Sequence, residues 1–367
     1  MDNAPSRIAL VHDWIVTFGG AERVLIEMHR MFPTAPIYTL FHDPEGTPEE
    51  LEDALIVPSV LNRFPGALNR YQSLLPLYPY AIEQFDLSGF DLVISLSHAA
   101  AKGVLTGAHQ MHLCYCYTPM RYVWELYQTY LKHTRLSRFR EFVFRVSSHY
   151  LRMWDWQAAQ RVDRFVAISE TIQRRIEKTY NRKSVVIYPP VNTDYFTPAE
   201  ERADEYFLLV GRFVPYKGME LVIEAFNDRE EPLLVVGDGP LRRRLLELAH
   251  NPRIEFLGTV TDEELLVLYQ NAMAVIFPSE EDFGLIPCEA MACATPVIAY
   301  ERGGATETVE AGVSGTFFRD RTPDALDRAI ERYYNTVWNR EDIRACAEKF
   351  SAEVFRRRMM SAVEHFL

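Results

Sequence analysis

Two series of short apolar segments, separated by one polar stretch, most strongly constrain how this chain can fold. The segments of the first series are nearly uninterrupted apolar runs, and helical patterns lie between them. Buried parallel strands have this appearance, and their alternation with helices predicts a doubly wound α/β domain. The runs of the first series lie at 7–13, 91–103, 164–170 and 184–191.

The alternation begins again after the polar stretch "NTDYFTPAEERADE" (192–205). Five apolar runs follow it, and most of them precede a helical pattern: "YFLLVGR", "PLLVVGDG", "RIEFLG", "MAVIFPS" and "TPVIAY". A length of 367 residues also favours two domains. We therefore predict an α/β protein with two Rossmann-like doubly wound domains, 1–195 and 196–350, facing across a cleft. The segment 351–367 is a helix that either completes the second domain or crosses back to the first.

Composition excludes several classes of protein. The net charge of −12 argues against a nucleic-acid partner. No run approaches the roughly 18 apolar residues of a membrane span, and "MDNAPSRIALVHD" has no cationic, apolar leader. The five cysteines form no even framework and no Cys-x-x-Cys pair, which favours reduced thiols over zinc ligands or disulfides. We expect a cytoplasmic protein.

The charge is unevenly distributed along the chain. Residues 131–183 contain thirteen Lys and Arg against five Asp and Glu, so the remainder carries −20. Within this stretch, "KHTRLSRFREFVFRVSSHYLRMWDW" interleaves arginine with aromatic residues, as surface helices on anionic membranes do. We hypothesise peripheral attachment to the inner membrane through Arg138, Arg140 and Arg145. The alternative is a solvated helix that packs through its aromatic side.

Glycines and cations follow two of the predicted strands. Gly19 and Gly20 precede the first helix, where close backbone approach and free amides favour an anion. Arg212 and Lys217 follow the strand "YFLLV", and a guanidinium with an ammonium suits a diphosphate. The alternatives are a structural turn and two solvated surface cations.

The stretch "SEEDFGLIPCEAMACATP" places two carboxylates around a glycine turn and a helix start. Glu281 lies on the loop before the turn, and Glu289 lies one turn into the helix. A helix start carries partial positive charge, and Pro287 fits the first turn. One acid could bind sugar hydroxyls and the other a ribose, while the amides between them hold phosphate. The alternative is a chance pair on an acidic loop. The amides belong to Phe283, Gly284, Leu285 and Ile286.

A histidine, His98, ends the apolar run "VISLS" in the first domain. A lone histidine is more often a structural hydrogen-bonding residue than a catalytic one. Its location at a strand end makes it a candidate for the site, because ligands of doubly wound sheets bind beyond the carboxyl ends of the strands.

Together these stretches resemble retaining glycosyltransferases of the GT-B type, in glycosyltransferase family 4. The resemblance covers nearly the whole chain and is strongest over 206–316. It rests on the Glu-x7-Glu pattern of Glu281 and Glu289 together with the Gly-Arg…Lys-Gly segment. The opening "HDW…GGAERV" and the segment "CYCYTPMRYVWELY" (114–127) are similar to mannosyltransferases of bacterial O-antigen and exopolysaccharide assembly.

The resemblance implies a role for each candidate residue. Gly19 and Gly20 lie against the diphosphate, while Arg212 and Lys217 neutralise the departing nucleotide. Glu289 binds the ribose. Glu281 contacts the donor sugar together with the amides near Phe283, and His98 orients that sugar. The base lies near Thr259 and Val260. The catalytic set is therefore Glu281, His98, Arg212 and Lys217, and the acceptor side contains Tyr117, Arg121 and Trp124.

Two positions depart from the family pattern. Ala294 stands where the family usually has glycine; if the position needs a positive φ, alanine costs roughly 1 kcal/mol. Tyr117 stands where related sequences often carry histidine before Thr-Pro, which bears on the identity of the acceptor.

The predicted reaction transfers a hexose, with mannose from GDP-mannose as the favoured donor, to a hydroxyl of a lipid-linked or growing bacterial surface glycan. The polyprenyl-linked glycan and the anionic membrane are the expected partners. No Asp-x-Asp occurs, so we expect no metal and no other cofactor. Alternatives are a transferase using a UDP sugar, a sugar-nucleotide hydrolase or epimerase, and a nucleotide-sugar-binding protein without chemistry. The sequence does not decide base, sugar, acceptor or linkage.

Overall fold

The computed structural model describes residues 7–128, 131, 137–201 and 203–365. These residues form two compact units. One contains the described residues up to Tyr188 and those from Arg356 onward, and the other is Pro189–Phe355. The predicted boundaries, after residues 195 and 350, lie close to this division. In the first unit, Arg356 Nη1 contacts Glu27 Oε2 at 2.6 Å, so the end of the chain is tied to an early helix by an ion pair.

The first unit contains a parallel sheet of seven strands, in the order β3-β2-β1-β4-β5-β6-β7. The strands are β1 (Ile8–Ile15), β2 (Ile37–His42), β3 (Ile56–Pro58), β4 (Leu92–Ser97), β5 (Met111–Cys116), β6 (Arg164–Ala167) and β7 (Ser184–Val186). Strands β2 and β3 lie on one side of β1, and β4 to β7 lie on the other. The winding direction therefore changes between β1 and β4. Ligands of doubly wound sheets bind at such a switch point.

Three strands of this sheet, β2, β3 and β5, were not named in the sequence-based prediction. The run of β2 is interrupted by Tyr38 and Thr39, and β3 has three residues and ends in Pro58. Polar and aromatic interruptions of this kind remove the continuous apolar signal on which the prediction relied. The tertiary context supplies the missing strands, because β2 pairs with β1 and β5 pairs with β4.

In the described part of the chain, helices lie between the strands of this sheet. The α-helices are α1 (Gly20–Met31), α2 (Ala67–Arg70), α3 (Tyr78–Ile82), α4 (Arg138–Arg161) and α5 (Glu170–Tyr180). Short 3-10 helices occur at Pro44–Gly46, Glu49–Leu51, Val60–Arg63, Tyr71–Leu77 and Ala101–Gly103. The α4 and α5 helices begin at serines, Ser137 and Ser169, whose hydroxyls accept an N–H of the first turn.

The second unit contains a parallel sheet of six strands, in the order β10-β9-β8-β11-β12-β13. The five apolar runs named from the sequence are confirmed as β8 to β12, and β13 completes the sheet. Its switch point lies between β8 and β11. The strands are β8 (Tyr206–Val210), β9 (Leu233–Val236), β10 (Ile254–Gly258), β11 (Ala272–Phe277), β12 (Val297–Tyr300) and β13 (Gly315–Phe318).

The helical patterns predicted after most of these five runs are also present. The helices are α6 (Met219–Phe226), α7 (Arg242–Leu248), α8 (Asp262–Asn271), α9 (Leu285–Ala292), α10 (Ala305–Thr308), α11 (Pro323–Tyr334) and α12 (Arg340–Glu348), with a 3-10 turn at Pro215–Lys217. The last helix, α13 (Ala352–Glu364), spans the division between the units. None of the helices in the described part of the chain has the length and apolarity that a bilayer span requires.

The end of α9 meets the condition stated for Ala294, while the cost of alanine there stays a prediction. Its φ is +60°, in the left-handed region where glycine is the usual residue. The N–H of Ala294 still bonds to the carbonyl of Met291 at 2.9 Å, so the turn that ends the helix is formed despite the strain. The five cysteines are free thiols and all are buried.

Candidate active site

The loops that follow β8 and β11 bring two predicted residues, Lys217 and Glu281, into direct contact. The two strands are parallel neighbours, with Leu209 opposite Ile276, so their carboxyl ends open at the same edge of the sheet. Lys217 Nζ donates a short hydrogen bond to Glu281 Oε1. The side chains are 11% and 24% exposed, respectively. The cation and the first acid of the Glu-x7-Glu pattern therefore form a largely shielded ion pair.

A glycine with positive φ allows these two loops to lie against each other. Gly218 has φ +70°, and a Cβ there would lie 3.1 Å from the carbonyl oxygen of Pro278. Next to it, Ser279 Oγ donates to the carbonyl of Lys217 at 3.4 Å. The backbone around Lys217 is thus fixed by the loop that carries Glu281.

A third loop, after β12, supports Glu281 and was missed by the sequence analysis. The N–H of Gly304 donates to the carbonyl of Glu281 at 2.8 Å. A Cβ on Gly303 would lie 2.4 Å from that same carbonyl oxygen, and a Cβ on Gly304 would lie 2.2 Å from the carbonyl of Phe283. A signal was present, since "ERGGATE" places adjacent glycines directly after the run "TPVIAY".

The start of α9 holds the predicted amide cluster. Gly284, at φ +93°, precedes the first helical residue, and a Cβ there would lie 3.3 Å from the ring of Phe277. The first N–H groups of a helix have no acceptor within the helix, and they carry its positive partial charge. The amides of Phe283, Leu285 and Ile286 lie at this start, within a few residues of Glu281.

Glu289 lies one turn into α9 and is buried. Its Oε2 accepts a hydrogen bond from the hydroxyl of Tyr269 at 3.0 Å. Tyr269 comes from α8 and is itself fully buried. This tyrosine was not among the predicted site residues, and only the packing of α8 against α9 reveals that it orients the second acid.

Two other predicted residues of this unit are not brought into the same cluster. Arg212 is exposed, and its side chain makes no hydrogen bond or ion pair with any residue that the structure describes. Its neighbour Phe213 is fixed instead, because its N–H bonds to the carbonyl of Asp238 at 2.9 Å. Val260 is half-buried in the turn between β10 and α8. Both residues remain predictions as ligand contacts.

In the first unit, His98 lies at the end of β4 against Asp13 of β1. His98 Nδ1 is 3.1 Å from Asp13 Oδ2, and the histidine side chain is 25% exposed, whereas Asp13 is fully buried. The ring of Trp14 meets that of His98 edge-on, with centroids 4.3 Å apart. The sequence analysis quoted "HDW" without assigning Asp13 a role.

The glycine turn before α1 contains a feature that the prediction did not include. Gly19 has an extended backbone, and a Cβ there would lie 3.3 Å from Glu22 Oε2. Glu22 is buried, and its Oε1 lies 3.4 Å from Nε2 of His12. Gly19 therefore makes room for a carboxylate that already occupies the start of α1. An anion bound at Gly19 and Gly20 would face this negative charge.

The three predicted acceptor-side residues differ in how their polar groups are used. The hydroxyl of Tyr117 donates to the carbonyl of Ala21 at 2.9 Å. The indole N–H of Trp124 donates to Asp155 Oδ2 at 2.7 Å. Arg121 forms a partly exposed ion pair with Glu125 at 3.2 Å. Tyr117 therefore anchors the start of α1, and Trp124 stabilises the packing of α4.

Comparisons with solved structures identify the fold that the two parallel sheets indicate. The solved structure of Anabaena Alr3699/HepE with UDP and glucose superimposes with a TM-score of 0.71 at 19% identity, covering 98% of this chain and 99% of that one. The apo lipopolysaccharide outer core galactosyltransferase WaaB gives 0.66 at 18% identity, covering 98% and 99%. The fold is thus that of the GT-B glycosyltransferases, with two Rossmann-like domains.

Two family descriptions divide the chain between them. "Glycosyltransferase Family 4" matches residues 18–195, and "Glycosyl transferases group 1" matches residues 192–350. Together the two matches cover residues 18–350. The chain therefore belongs to glycosyltransferase family 4, which its Glu-x7-Glu pattern indicated.

Curated relatives include enzymes of O-antigen assembly. The O-antigen chain mannosyltransferase C of Escherichia coli is 26% identical over 356 residues, 89% of this chain and 86% of the relative. The O-antigen chain mannosyltransferase RfbU of Salmonella typhimurium is 34% identical over 160 residues, 41% of this chain and 45% of the relative. An uncharacterized glycosyltransferase of Methanocaldococcus jannaschii, MJ1178, is 28% identical over 53% of this chain. The match spans about half the length of RfbU and of MJ1178.

Proposed function

We propose that this glycosyltransferase moves a mannosyl group from GDP-mannose to a hydroxyl of a lipid-linked or growing bacterial surface glycan, with retention of the anomeric configuration. The observation that carries the proposal is the Lys217–Glu281 pair, which lies beside the start of α9 at the switch point of the second sheet. The choice of mannose is supported by two relatives named as O-antigen chain mannosyltransferases.

The departing diphosphate is stabilised by charges that the protein has already positioned. Lys217 is held in place by the loop after β11, and the first N–H groups of α9, which have no acceptor within the helix, point out of its start. Arg212, exposed and without a partner among the described residues, supplies a second cation. Preorganised donors of this kind often contribute about 3–4 kcal/mol each.

The two glutamates act at opposite ends of the donor. Glu281, paired with Lys217, accepts hydrogen bonds from hydroxyls of the donor sugar, and Glu289, oriented by Tyr269, accepts them from the ribose. Glu281 is not a covalent nucleophile in this mechanism. The acceptor oxygen forms its bond to the anomeric carbon on the face from which the phosphate oxygen departs. The hydroxyl proton passes to that phosphate oxygen.

The reaction needs no divalent metal in this proposal, because lysine, arginine and helix amides supply the positive charge. The sequence lacks the Asp-x-Asp pattern that usually holds a metal on a sugar diphosphate. We therefore expect full activity in excess EDTA. A loss of activity that Mg²⁺ or Mn²⁺ restores would contradict the metal-independent mechanism and leave the transferase assignment intact.

A donor panel tests the function directly. The protein is incubated with GDP-mannose, other GDP sugars or UDP sugars, with and without a polyprenyl-linked glycan, and both nucleotide release and transferred sugar are measured. We expect release and transfer together, only with the acceptor and best with GDP-mannose. Equal donor turnover without acceptor would indicate a hydrolase or epimerase, and preference for a UDP sugar would contradict the donor assignment.

Heat stabilisation screens the same panel without an acceptor. A ligand at 100 times its dissociation constant adds about 2.7 kcal/mol to the free energy of unfolding.

The Glu281→Ala variant separates an enzyme from a binding protein. In an enzyme it lowers turnover far more than it lowers GDP affinity, whereas equal losses would favour a binding protein without chemistry.

We propose further that α4 attaches the enzyme to an anionic membrane, where lipid-linked acceptors reside. Seven large apolar side chains on this helix, Trp156 among them, are 43–75% exposed. The helical spacing of the other six places them on one face: Phe139, Phe142, Val143, Val146, Tyr150 and Met153. Exposed apolar surface of this extent marks interaction sites. We call these six residues the apolar face of α4.

The charges beside the apolar face favour a lipid surface with anionic headgroups. Arg138 and Arg140 are exposed at the start of the helix, whereas Arg145 is paired with Glu141 at 2.6 Å and has less charge to offer. Residues 132–136, the first part of the basic segment named from the sequence, lie outside the described residues. The arginines and the apolar face together have the composition of a helix that lies in the interface plane.

Sedimentation with vesicles tests this attachment. We expect binding to vesicles that contain phosphatidylglycerol, weaker binding after Arg138→Gln with Arg140→Gln, and loss after Phe142→Glu with Val146→Glu. The matched control is Val267→Glu, which places the same charge at an exposed valine of the second unit. Sedimentation that all of these variants leave unchanged would contradict attachment through α4.

A further inference from the structure

We propose that Asp13 is a positioning residue, which holds the imidazole of His98 with Nδ1 protonated and leaves Nε2 to accept a hydrogen bond from a donor-sugar hydroxyl. The inference rests on the proposed function and on the role that the family resemblance implies for His98, which is to orient the donor sugar. Asp13 belongs to β1 and His98 directly follows β4. These strands are parallel neighbours, with His12 opposite Leu96, and this register carries Asp13 to the loop after β4.

The Asp13 carboxylate holds both the main chain and the ring of His98. Oδ2 accepts the N–H of His98 at 2.6 Å and of Ala99 at 2.8 Å, and Oδ1 accepts those of Ala100 at 2.6 Å and Ala101 at 2.7 Å. The fifth group is His98 Nδ1, 3.1 Å from Oδ2. An ionised carboxylate only accepts hydrogen bonds, and its negative charge 3.1 Å from Nδ1 favours the tautomer with the proton on that nitrogen, so we infer that Nδ1 carries the proton.

The protonation states of both groups agree with this geometry. Burial by itself would raise the pKa of Asp13. The adjacent His98 and the backbone N–H donors together lower this pKa by more, so the net shift is downward. Burial lowers the pKa of His98, Asp13 opposes that shift, and the net shift is again downward. Asp13 is therefore ionised and His98 neutral near pH 7. The other titratable groups that face His98 are His12, Glu22, Lys102 and Tyr117.

The ring of His98 is also fixed against rotation. Trp14, the residue after Asp13, meets the imidazole edge-on at an interplanar angle of 86°. With Nδ1 occupied by Asp13, Nε2 is the ring nitrogen available to a ligand, and a quarter of the side chain remains exposed. A neutral histidine with a free Nε2 is a hydrogen-bond acceptor, which suits a hydroxyl donor better than a phosphate oxygen.

Nitrogen-15 spectroscopy of the histidine side chains tests the tautomer in the unmodified protein. We expect His98, assigned by loss of its signals in His98→Gln, to show protonated Nδ1 and unprotonated Nε2 from pH 6 to 8. The Nε2–H tautomer, or an imidazolium at pH 7, would overturn the inference. The result does not depend on activity, so it stays decisive if the proposed function is wrong.

A double-mutant cycle tests whether Asp13 acts through His98. Removing the partner that orients a metal-binding histidine costs 10- to 100-fold, and we expect Asp13→Asn to lower kcat by a similar factor. GDP affinity should not change, since GDP lacks the hexose that the enzyme transfers. In the His98→Gln background, Asp13→Asn should add less than about a twofold loss. An equal loss in both backgrounds, or a parallel loss of GDP affinity, would show a merely structural role. If Asp13→Asn does not fold, the tautomer measurement decides.

Discussion

Each unit holds a carboxylate near the end of a strand, but the groups that hold it differ. In the first unit, Asp13 is fully buried and accepts four backbone N–H groups, including that of His98, and its carboxylate also lies against the His98 ring. In the second, Glu281 remains partly exposed, and the contact described for its carboxylate is Lys217. A carboxylate saturated by its own protein is part of the scaffold, whereas one held by a single cation can exchange that partner for a ligand.

The largest expected effect separates the two carboxylates by stability. Asp13→Ala leaves four buried N–H groups without an acceptor, at about 1–3 kcal/mol each, so we expect a loss of at least about 4 kcal/mol in the free energy of unfolding. Glu281→Ala should cost less, because one contact of a partly exposed carboxylate is lost rather than four backbone hydrogen bonds, although Lys217 is left without its partner. Urea unfolding measures both. Equal losses would remove the distinction between a structural and an exchangeable carboxylate.

The second effect concerns turnover. Lys217→Ala should lower kcat by about 100- to 1000-fold, since it removes a preorganised charge from the departing diphosphate. The control is Lys349→Ala, because this lysine is 62% exposed and paired with Glu310 at 3.6 Å. Steady-state rates with GDP-mannose and acceptor provide the measurement. Retention of more than about a tenth of wild-type kcat in Lys217→Ala would contradict the role of the lysine.

Acid should act mainly on the first unit, where most of the described histidines lie. Burial lowers the pKa of His112 to about 3, and it also lowers the pKa of His29 and His98. Below pH 6.5 the unfolded chain binds protons that the native protein excludes, so stability falls as pH falls. For His112 the loss is about 1.4 kcal/mol per pH unit between the unfolded pKa near 6.5 and the folded pKa of about 3, and His29 and His98 add to it in the same direction.

Urea unfolding at several pH values checks this dependence. Between pH 6 and pH 4, His112→Gln should flatten the fall in stability by one histidine's share. His250, exposed in the second unit, is the matched control, and His250→Gln should leave the slope unchanged. If both variants had the same slope as the wild type, burial of His112 would not be the cause.

The smallest expected effect tests the third loop of the second unit. Gly303→Ala introduces a methyl group 2.4 Å from the carbonyl of Glu281, whereas Gly312→Ala, at a similar φ of +77°, meets no atom within 4 Å. Both should lose roughly 1 kcal/mol of stability through the left-handed backbone, and Gly303→Ala should lose more because its methyl group meets a backbone oxygen. Only Gly303→Ala should also lower kcat, by displacing Glu281. Unchanged kcat in Gly303→Ala would show that the loop does not position the acid.

The sequence allowed prediction of what depends on local pattern. Strands β8 to β12 appear as continuous apolar runs, and the Glu-x7-Glu spacing located Glu281 and Glu289 around the start of α9. Ala294 could be flagged because the family pattern has glycine at a turn that the structure shows to be left-handed.

The missed residues depend on strand order. Asp13 meets the loop after β4 only because β1 and β4 are neighbours in the sheet. The residues that donate to Asp13 lie 85 to 88 positions further along the chain. Gly303 supports Glu281 through the neighbouring strands β11 and β12, and Tyr269 reaches Glu289 from another helix. No local pattern contains these contacts, because register and packing create them.

The central claim is that paired acids at the switch point of the second sheet bind opposite ends of a nucleoside-diphosphate sugar. A crystal structure with a non-transferable GDP-mannose analogue tests it most directly. We predict the diphosphate at Lys217 and the start of α9, the ribose at Glu289 and the hexose at Glu281. An analogue bound out of reach of both glutamates would contradict the account.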